Sequence, residues 1–259
     1  MLEQIITYKK SKLHNISTTD YLKELNKKIL KAPPPRDLKR ALKREKDQRI
    51  NIIAEIKRAS PSKGIIAADF NPTKTALAYE RAGATAISVL TEEKYFLGSL
   101  MHLHEVSSLC HLPLLRKDFI IDPVEIYEAR AYGADAVLLI VRVLDKETLK
   151  KLLNLTRDLG MQALVEIHWE RELELALAAG AEIIGINNRN LEDFTIDFGV
   201  TERLMPLIPK DVVSVSESGI KNAQDVRFLE SLGINAVLIG ETLMRSPHPY
   251  KTLKNLMEG

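Results

Sequence analysis

The sequence has very little cysteine: a single residue, Cys110, in 259. A lone cysteine excludes an internal disulfide and supplies no cysteine-rich metal cluster, and we expect it to be a small buried apolar side chain. No apolar run approaches the ~20 residues of a membrane span. The N-terminus, MLEQIITYKK, also lacks the apolar core of a signal peptide. A reducing cytoplasm is therefore the expected location.

Net charge is nearly absent as well. The 37 basic and 35 acidic residues give a formal charge of +2, so the composition offers no reason to expect nucleic acid or a membrane surface as a partner. The six histidines are scattered, and no spacing of carboxylates and histidines indicates a metal site. We interpret the histidines as structural or surface residues.

From Asn51 onward, short apolar runs alternate with amphipathic helical stretches. Buried parallel strands read as continuous apolar runs. Eight runs are predicted as strands: Ile52–Lys57, Ala86–Leu90, Leu114–Lys117, Ala136–Ile140, Ala163–Glu166, Ile183–Asn187, Val212–Ser216 and Ala236–Ile239. Helices are predicted to begin near Pro72, Ser99, Pro123, Lys146, Trp169, Val200, Asn222 and His248. This alternation predicts an α/β fold, either a closed barrel or an open doubly wound sheet.

Four junctions share one form: AGATAISVL, YGADAVLLI, AGAEIIGIN and LGINAVLIG. In each, we expect a glycine to end the helix in the left-handed conformation, with the strand beginning two residues later. Eight such units in about 210 residues favour closure into a single (β/α)8 TIM barrel. No GxGxxG motif follows the first strand, which counts against a dinucleotide-binding sheet.

Residues 1–48 are predicted to form an N-terminal helical extension, and residues 49–259 the barrel. One helical pattern runs from Leu2 to Leu30 with a break near Ser17–Asp20, and three prolines then stop it. A second, basic helix is expected at about Asp37 to Lys46. The residues leave two interpretations open: a solvated segment on the outside of the barrel, or a lid or cap over one end.

Polar side chains stand where the predicted strands end, which is where TIM barrels carry their active sites. They are Glu55, Lys57, Lys117, Glu166, Asn187, Arg189, Glu217 and Ser218. Residues two apart on a strand share a face, so Glu55 and Lys57 should point the same way. Burying unpaired charges is costly. Several charged side chains at the same end of the barrel therefore indicate either that they pair with one another or that they have a function. Beside a second lysine in a partly dry site, we expect a lysine pKa to be lowered, which suits proton transfer near neutral pH.

Two glycine turns follow the seventh and eighth predicted strands, in the segments ESGI and IGET. The loops after these strands often bind phosphate in TIM barrels, because glycine lets backbone N–H groups approach an anion closely. Gly219 and Gly240 therefore predict a phosphate site, with Ser60 and Lys57 as further contacts. The residues thus predict acid–base chemistry on a small phosphorylated substrate.

Six motifs in the same order resemble the indole-3-glycerol-phosphate synthase family: IIAEIKRASPSKG, LPLLRKDFIID, ALVEIH, IGINNRNL, SVSESGI and AVLIGETLMR. The resemblance covers nearly the whole chain. It implies closure of the pyrrole ring of 1-(2-carboxyphenylamino)-1-deoxyribulose 5-phosphate, with release of carbon dioxide and water, in tryptophan biosynthesis. It also implies that no cofactor or metal is used and that the N-terminal extension covers the barrel mouth.

The resemblance further implies a role for each matching residue. Lys117 corresponds to the general acid, and Glu166 to the group that stabilises the cationic intermediate and assists dehydration. Lys57 corresponds to a contact for the substrate carboxylate or phosphate, or to the acid of the second step. Glu55 and Asn187 correspond to orienting groups. The matching substrate-binding residues are Ser60, Phe119, Leu138, Arg189, Glu217, Ser218, Gly219, Gly240 and Glu241.

Glu241 departs from the pattern, because some family members have a small hydroxyl residue there. A carboxylate beside a phosphate is unfavourable, so we expect the backbone N–H of Glu241 to serve and its side chain to point away.

Three alternatives to a synthase remain at this point. One is another phosphate-binding barrel enzyme, such as the isomerase one step earlier in the pathway or the tryptophan synthase α subunit. That isomerase needs a Cys/Asp pair, and Cys110 is not at a strand end. The second is an aldolase that forms a Schiff base on Lys57 or Lys117. The third is a barrel without catalysis. We expect a monomer and leave contacts with other pathway enzymes open.

Overall fold

The computed structural model describes residues 1–14, 18–45, 48–190 and 194–258. Its centre is a closed barrel in which each parallel strand pairs with the next along the chain and the last pairs with the first. The barrel strands are β1 (Asn51–Ile56), β2 (Ala86–Leu90), β3 (Leu114–Lys117), β4 (Ala136–Ile140), β5 (Gln162–Ile167), β6 (Ile183–Asn187), β7 (Val213–Glu217) and β8 (Ala236–Ile239). The predicted TIM barrel is confirmed, and β1, β5 and β7 differ from their predicted bounds by one residue at each end.

Twelve helices are present in the described ranges. They are α1 (Leu2–His14), α2 (Thr18–Ile29), α3 (Leu38–Leu42), α4 (Pro72–Ala82), α5 (Leu100–Ser107), α6 (Pro123–Ala131), α7 (Lys146–Asp158), α8 (Glu170–Ala178), α9 (Gly199–Leu204), α10 (Ala223–Ser231), α11 (Glu241–Met244) and α12 (Pro249–Glu258). A short antiparallel hairpin that no pattern predicted, Ala59–Ser60 with Gly64–Ile65, lies in the loop after β1. Short 3₁₀ turns follow β4 and α9.

The helix–strand junctions take the predicted left-handed form. The glycines of the four repeated junctions have φ values of 86° to 97°, which a side chain with a Cβ rarely adopts. Each strand begins three residues after its glycine rather than two. Because one residue in this conformation turns the chain back toward the barrel, the same short junction serves repeatedly.

Alternation along each strand divides the core into two layers. Outward-facing residues such as Ile52, Ala54 and Ile56 pack beneath the helices. Inward-facing residues fill the barrel near the strand N-termini, and they include Ile53, Leu115, Leu164, Val213 and Val215. Every second residue of a strand faces inward, and nearer the strand C-termini polar groups take over many of these inward positions. The barrel interior is therefore apolar at one end and charged at the other.

The third helix of the extension, α3, closes the apolar end of the barrel. Leu38 and Leu42 are fully buried and pack among the inward-facing residues. Around them, the backbone N–H of Lys39 donates to the Gln162 side chain (2.9 Å), and Asn51 donates to the carbonyl of Leu42 (2.9 Å). Part of the extension therefore caps the end of the barrel opposite to the charged mouth.

The second predicted helix is much shorter than Asp37–Lys46. Asp37 does cap it, accepting a hydrogen bond from the Arg40 backbone N–H, but the chain turns extended at Lys43. Leu42 has then reached the barrel interior, and a longer helix would carry the following basic residues toward the apolar core. Ser17 and Lys46, at the predicted break and helix end, lie outside the described residues. The division of the chain at residue 48 stays a prediction.

Cys110 is buried and unpaired, as predicted. Within the four described ranges, no helix combines the length and the apolar character needed to cross a membrane.

We expect Leu42→Ala to lower the free energy of unfolding by about 2–5 kcal/mol, because it leaves a cavity in the capped end of the barrel. The matched control is Leu30→Ala in the same extension, where the side chain is 86% exposed. Urea unfolding followed by circular dichroism measures both. Equal stability of the two variants would contradict the capping role of α3.

Candidate active site

The C-terminal ends of the strands surround a cavity of about 510 Å³, within the usual range for small-molecule sites. All fourteen candidate residues from the sequence line it: Glu55, Lys57, Ser60, Lys117, Phe119, Leu138, Glu166, Asn187, Arg189, Glu217, Ser218, Gly219, Gly240 and Glu241. The structure thus brings together groups from seven barrel strands and the loops after them.

A buried lysine lies among carboxylates in this cavity. The Lys117 Nζ is 3.2 Å from the Glu217 Oε2 and 3.5 Å from the Glu166 Oε2. These three side chains come from the ends of β3, β5 and β7, and each is at most 15% exposed. The second oxygen of Glu217, Oε1, is buried and has no hydrogen-bond partner among the described residues.

The expected lowering of a lysine pKa is wrong for Lys117. Burial does oppose its charge, but the carboxylates of Glu217, Glu166 and Glu55 outweigh burial and raise the pKa of Lys117 well above its ordinary value. The sequence-based expectation considered the neighbouring lysine, whereas the nearest charges are acidic. Lys117 is therefore protonated at neutral pH.

The pKa of Glu217 is raised too, which here favours the neutral form of the group. Burial is the largest cause, and with the nearby Glu166 it outweighs Lys117 and raises the pKa of the Glu217 carboxyl to about 7. Near neutral pH Glu217 therefore exchanges between its carboxylate and its carboxylic acid, whereas Lys117 stays protonated.

Glu166 is oriented by two neighbours. Asn187 donates to the Glu166 Oε1 at 3.1 Å, and the backbone N–H of Arg189 in turn donates to the Asn187 Oδ1 at 3.0 Å. The buried ring of His168 lies with its Nε2 3.7 Å from the same Glu166 oxygen. Burial lowers the His168 pKa, but Glu172 and Glu166 outweigh it and raise the value. The sequence interpretation did not anticipate a histidine at this distance, although its position two residues after Glu166 was the available signal.

Glu55 and Lys57 form a close ion pair on the first strand, with 2.7 Å between the Glu55 Oε1 and the Lys57 Nζ. Burial opposes ionisation of Glu55, but Lys57 and Lys117 outweigh it and lower the Glu55 pKa. A Cβ added at Gly240 would overlap Glu55 and lie 2.9 Å from the Lys57 Nζ. Gly240 therefore leaves the space that this ion pair occupies.

Gly185 makes room in the same way, and the sequence interpretation missed it. It is the inward-facing residue two before Asn187 on β6, and a Cβ there would overlap the Glu217 Oε1. An isolated glycine within a strand is the recognised signal of close approach by another group. Two inward glycines thus provide the volume for two of the buried acids.

The predicted phosphate loops border one side of the cavity. Ser218 and Gly219 both have left-handed backbone conformations, with φ of 71° and 93°. Such a conformation is rare for serine, and strained residues of this kind cluster at functional sites. At Gly219, a Cβ would overlap the Ile196 side chain.

The Glu241 carboxylate, next to the predicted phosphate loops, contacts two arginine side chains. Its Oε1 accepts from the Arg245 Nε at 3.0 Å, and its Oε2 is 3.9 Å from an Arg189 guanidinium nitrogen. Two guanidinium groups against one carboxylate leave the edge positive, which offsets the unfavourable charge of Glu241. Arg245, one helical turn after Glu241, lines the cavity and was not predicted.

The extension reaches the mouth as well as the opposite end. Met1 and, in α1, Leu2 and Ile5 line the cavity, as do Phe96 and Phe119. The rings of Phe96 and Phe119 lie 6.1 Å apart between centroids. The N-terminal extension thus contributes residues to the cavity at one end of the barrel and leucines to the core at the other, and the lid over the mouth stays a prediction.

The sequence and the fold of this chain are similar to those of known proteins. A family model described as indole-3-glycerol phosphate synthase matches residues 2–256. An indole-3-glycerol phosphate synthase of Dehalococcoides mccartyi (strain CBDB1) is 50% identical over 261 residues, covering 99% of this chain and 100% of its own. The enzyme of that name from Campylobacter jejuni subsp. jejuni serotype O:23/36 (strain 81-176) is 52% identical over 223 residues, covering 86% of each chain.

Among solved structures, the 3-hexulose-6-phosphate synthase from Salmonella typhimurium is similar with a TM-score of 0.65, covering 81% of this chain and 97% of that one. At 13% identity, this likeness shows the shared barrel fold alone. The match along almost the entire sequence is what decides the family. The chain belongs to the indole-3-glycerol phosphate synthase family.

Proposed function

We propose that ring closure takes place in the cavity between Lys117, Glu166 and the phosphate loops. The enzyme is a carboxy-lyase of tryptophan biosynthesis, which converts 1-(2-carboxyphenylamino)-1-deoxyribulose 5-phosphate to indole-3-glycerol phosphate. Carbon dioxide and water are released. The observation that carries the residue assignment is the buried ammonium of Lys117 between Glu166 and Glu217.

Lys117 is the general acid in this proposal. Attack of the aromatic ring carbon on the sugar carbonyl places negative charge on the carbonyl oxygen, and a protonated lysine can neutralise it. The alkoxide that would form is more basic than an amine, so an ammonium with a raised pKa still transfers its proton downhill. The same raised pKa disfavours a Schiff-base aldolase, because that mechanism needs the unprotonated amine.

Glu166 is the partner for the cationic intermediate. Ring attack leaves positive charge on the nitrogen and the ring until the carboxylate departs as carbon dioxide and the ring becomes aromatic again. A carboxylate held by Asn187 at 3.1 Å is oriented before the substrate arrives, which is how electrostatic stabilisation works in a water-poor site. The following dehydration removes the hydroxyl and a ring proton, and Glu166 assists it.

Lys57 contacts the substrate anion, with Glu55 orienting it. Its Nζ lies beside Gly240 at the phosphate end of the cavity. Ser60, Ser218, Gly219, Gly240 and the backbone of Glu241 surround the phosphate in this proposal, while Arg189 and Arg245 supply positive charge. Phe119 and Leu138 form the apolar wall for the aromatic ring.

Every group in this proposal comes from one chain, so a monomer would suffice, and we propose that state. Contacts with other enzymes of the pathway and the cytoplasmic location stay predictions from the sequence.

The function is tested by adding the carboxyphenylamino-deoxyribulose phosphate to the purified protein and following indole fluorescence. We expect fluorescence to appear together with one equivalent of carbon dioxide. Borohydride added during turnover should trap no covalent adduct. Absence of the fluorescence would contradict the function, and a trapped adduct would contradict the acid role of Lys117.

We expect Lys117→Met to lower kcat by at least about a hundredfold, the usual contribution of a positioned general acid. Lys210→Met, at an exposed lysine, is the matched control and should keep kcat within about twofold. Circular dichroism shows whether both variants are folded. A folded Lys117→Met that retained most of its activity would refute the assignment.

We expect Glu217→Gln to stabilise the protein more at pH 8 than at pH 5, while lowering turnover. The folded-state pKa near 7 exceeds that of an ordinary carboxyl. The contribution of Glu217 to the free energy of unfolding is therefore fully present at low pH and is lost as pH rises through the folded-state pKa. An amide has no such proton to lose, and the relative gain is a few kcal/mol at most. Thermal unfolding at both pH values measures it.

Glu174→Gln, at an exposed glutamate of α8, is the control. A pH-independent difference between Glu217→Gln and wild type would show that Glu217 ionises like an ordinary carboxyl.

A further inference from the structure

A second group of buried charges lies beside the cavity, around the end of β3. We call it the outer network and define it as Lys9, Arg116, Asp118, Glu125 and Glu128. Its lysine belongs to α1, yet its side chain is only 8% exposed. The Lys9 Nζ is 2.8 Å from the Asp118 Oδ1 and also forms an ion pair with Glu125 of α6.

Arg116 completes this network from the strand. Its guanidinium is 3.0 Å from Asp118 and 3.2 Å from Glu128. Tyr21 of α2 donates to the other oxygen of Glu128 at 2.8 Å. Both long helices of the extension therefore contact the same buried charges.

The network flanks Lys117 along the chain. Residues alternate across a strand, so Arg116 faces outward while Lys117 faces the cavity. Asp118, the residue after β3, pairs with Lys9 and Arg116 and also borders the cavity. Asp118 also accepts the backbone N–H of Phe119 at 2.8 Å. The backbone on both sides of Lys117 is thereby held by side chains that belong to the outer network.

Lys9 makes the buried ion pairs of α1 in this region. The nearby ion pair of Lys12 with Glu93 is about half exposed, and such pairs contribute little. Without Lys9, three carboxylates would face one guanidinium in a buried setting, which is strongly unfavourable. One turn or more toward the N-terminus, the same helix places Leu2 and Ile5 against the cavity.

We infer that Lys9 is a positioning residue for the ring-closing reaction: its buried ammonium fixes α1 over the mouth and holds the Arg116–Phe119 segment so that Lys117 is aligned with the substrate. The inference rests on the proposed role of Lys117. That role is tested separately by Lys117→Met, whose outcome does not depend on Lys9.

The experiment compares Lys9→Met, Lys9→Arg and Lys10→Met with the wild type. Lys10 is the next residue of α1 and is exposed. With enzyme in excess, a single turnover followed by indole fluorescence reports the chemical steps without product release. We expect Lys9→Met to slow this turnover at least about tenfold, since small misplacements of reacting groups have large effects. Lys10→Met should stay within about twofold of wild type, and Lys9→Arg should recover part of the loss.

The temperature is kept well below the unfolding transition of each variant, as judged by circular dichroism. A single-turnover rate of Lys9→Met close to wild type would overturn the inference, and so would a rise in KM alone.

If Lys9→Met does not fold, a double variant tests the same positioning role. The double variant Lys9→Met/Glu125→Gln removes the unpaired carboxylate together with the ammonium, while the amide oxygen can still accept the backbone N–H groups of Ile121 and Asp122. It is compared with Glu125→Gln alone. The same slowing of at least about tenfold is expected, and equal rates for the two would overturn the positioning role.

Discussion

The site depends on the ion pairs between the buried ammonium of Lys117 and the carboxylates around it. Glu166 and Glu217 stand where solvent would otherwise solvate Lys117. Their charges keep the lysine protonated, and in return the lysine allows acidic groups to remain in a buried place. Because these groups are already ordered, little reorganisation is needed when charge develops in the substrate.

The barrel supports this arrangement by separating its two ends. Apolar side chains and the leucines of α3 fill the end near the strand N-termini, so that end contributes stability and carries no chemistry. At the other end, the inward positions include charged residues and two glycines, together with Leu138 and Asn187. Gly185 and Gly240 contribute empty volume, and the side chains of Glu217 and Glu55 use it. A site with several buried charges thus needs positions that have no side chain at all.

The barrel could be predicted from the sequence because its strands are buried on both faces and read as uninterrupted apolar runs. The polar candidates at the strand ends followed from the same register, since alternation fixes which residues face inward. Phe119 and Leu138 came only from the resemblance to the family. The protonation of Lys117 could not be predicted, because it depends on distances to Glu166 and Glu217, which lie 49 and 100 residues further along the chain. The burial of Lys9 was equally hidden, because a basic residue on an amphipathic helix usually faces water.

The capping helix α3 also has a consequence for how the molecule is made. Its leucines belong to the same buried cluster as residues of β1, β7 and β8, and β8 is the last strand to be synthesised. A nascent chain therefore carries Leu38 and Leu42 without their full surroundings until translation is almost complete, and exposed apolar surface of this kind is where partly made chains associate. The helix that caps the barrel is thus synthesised before all of the strands that surround it.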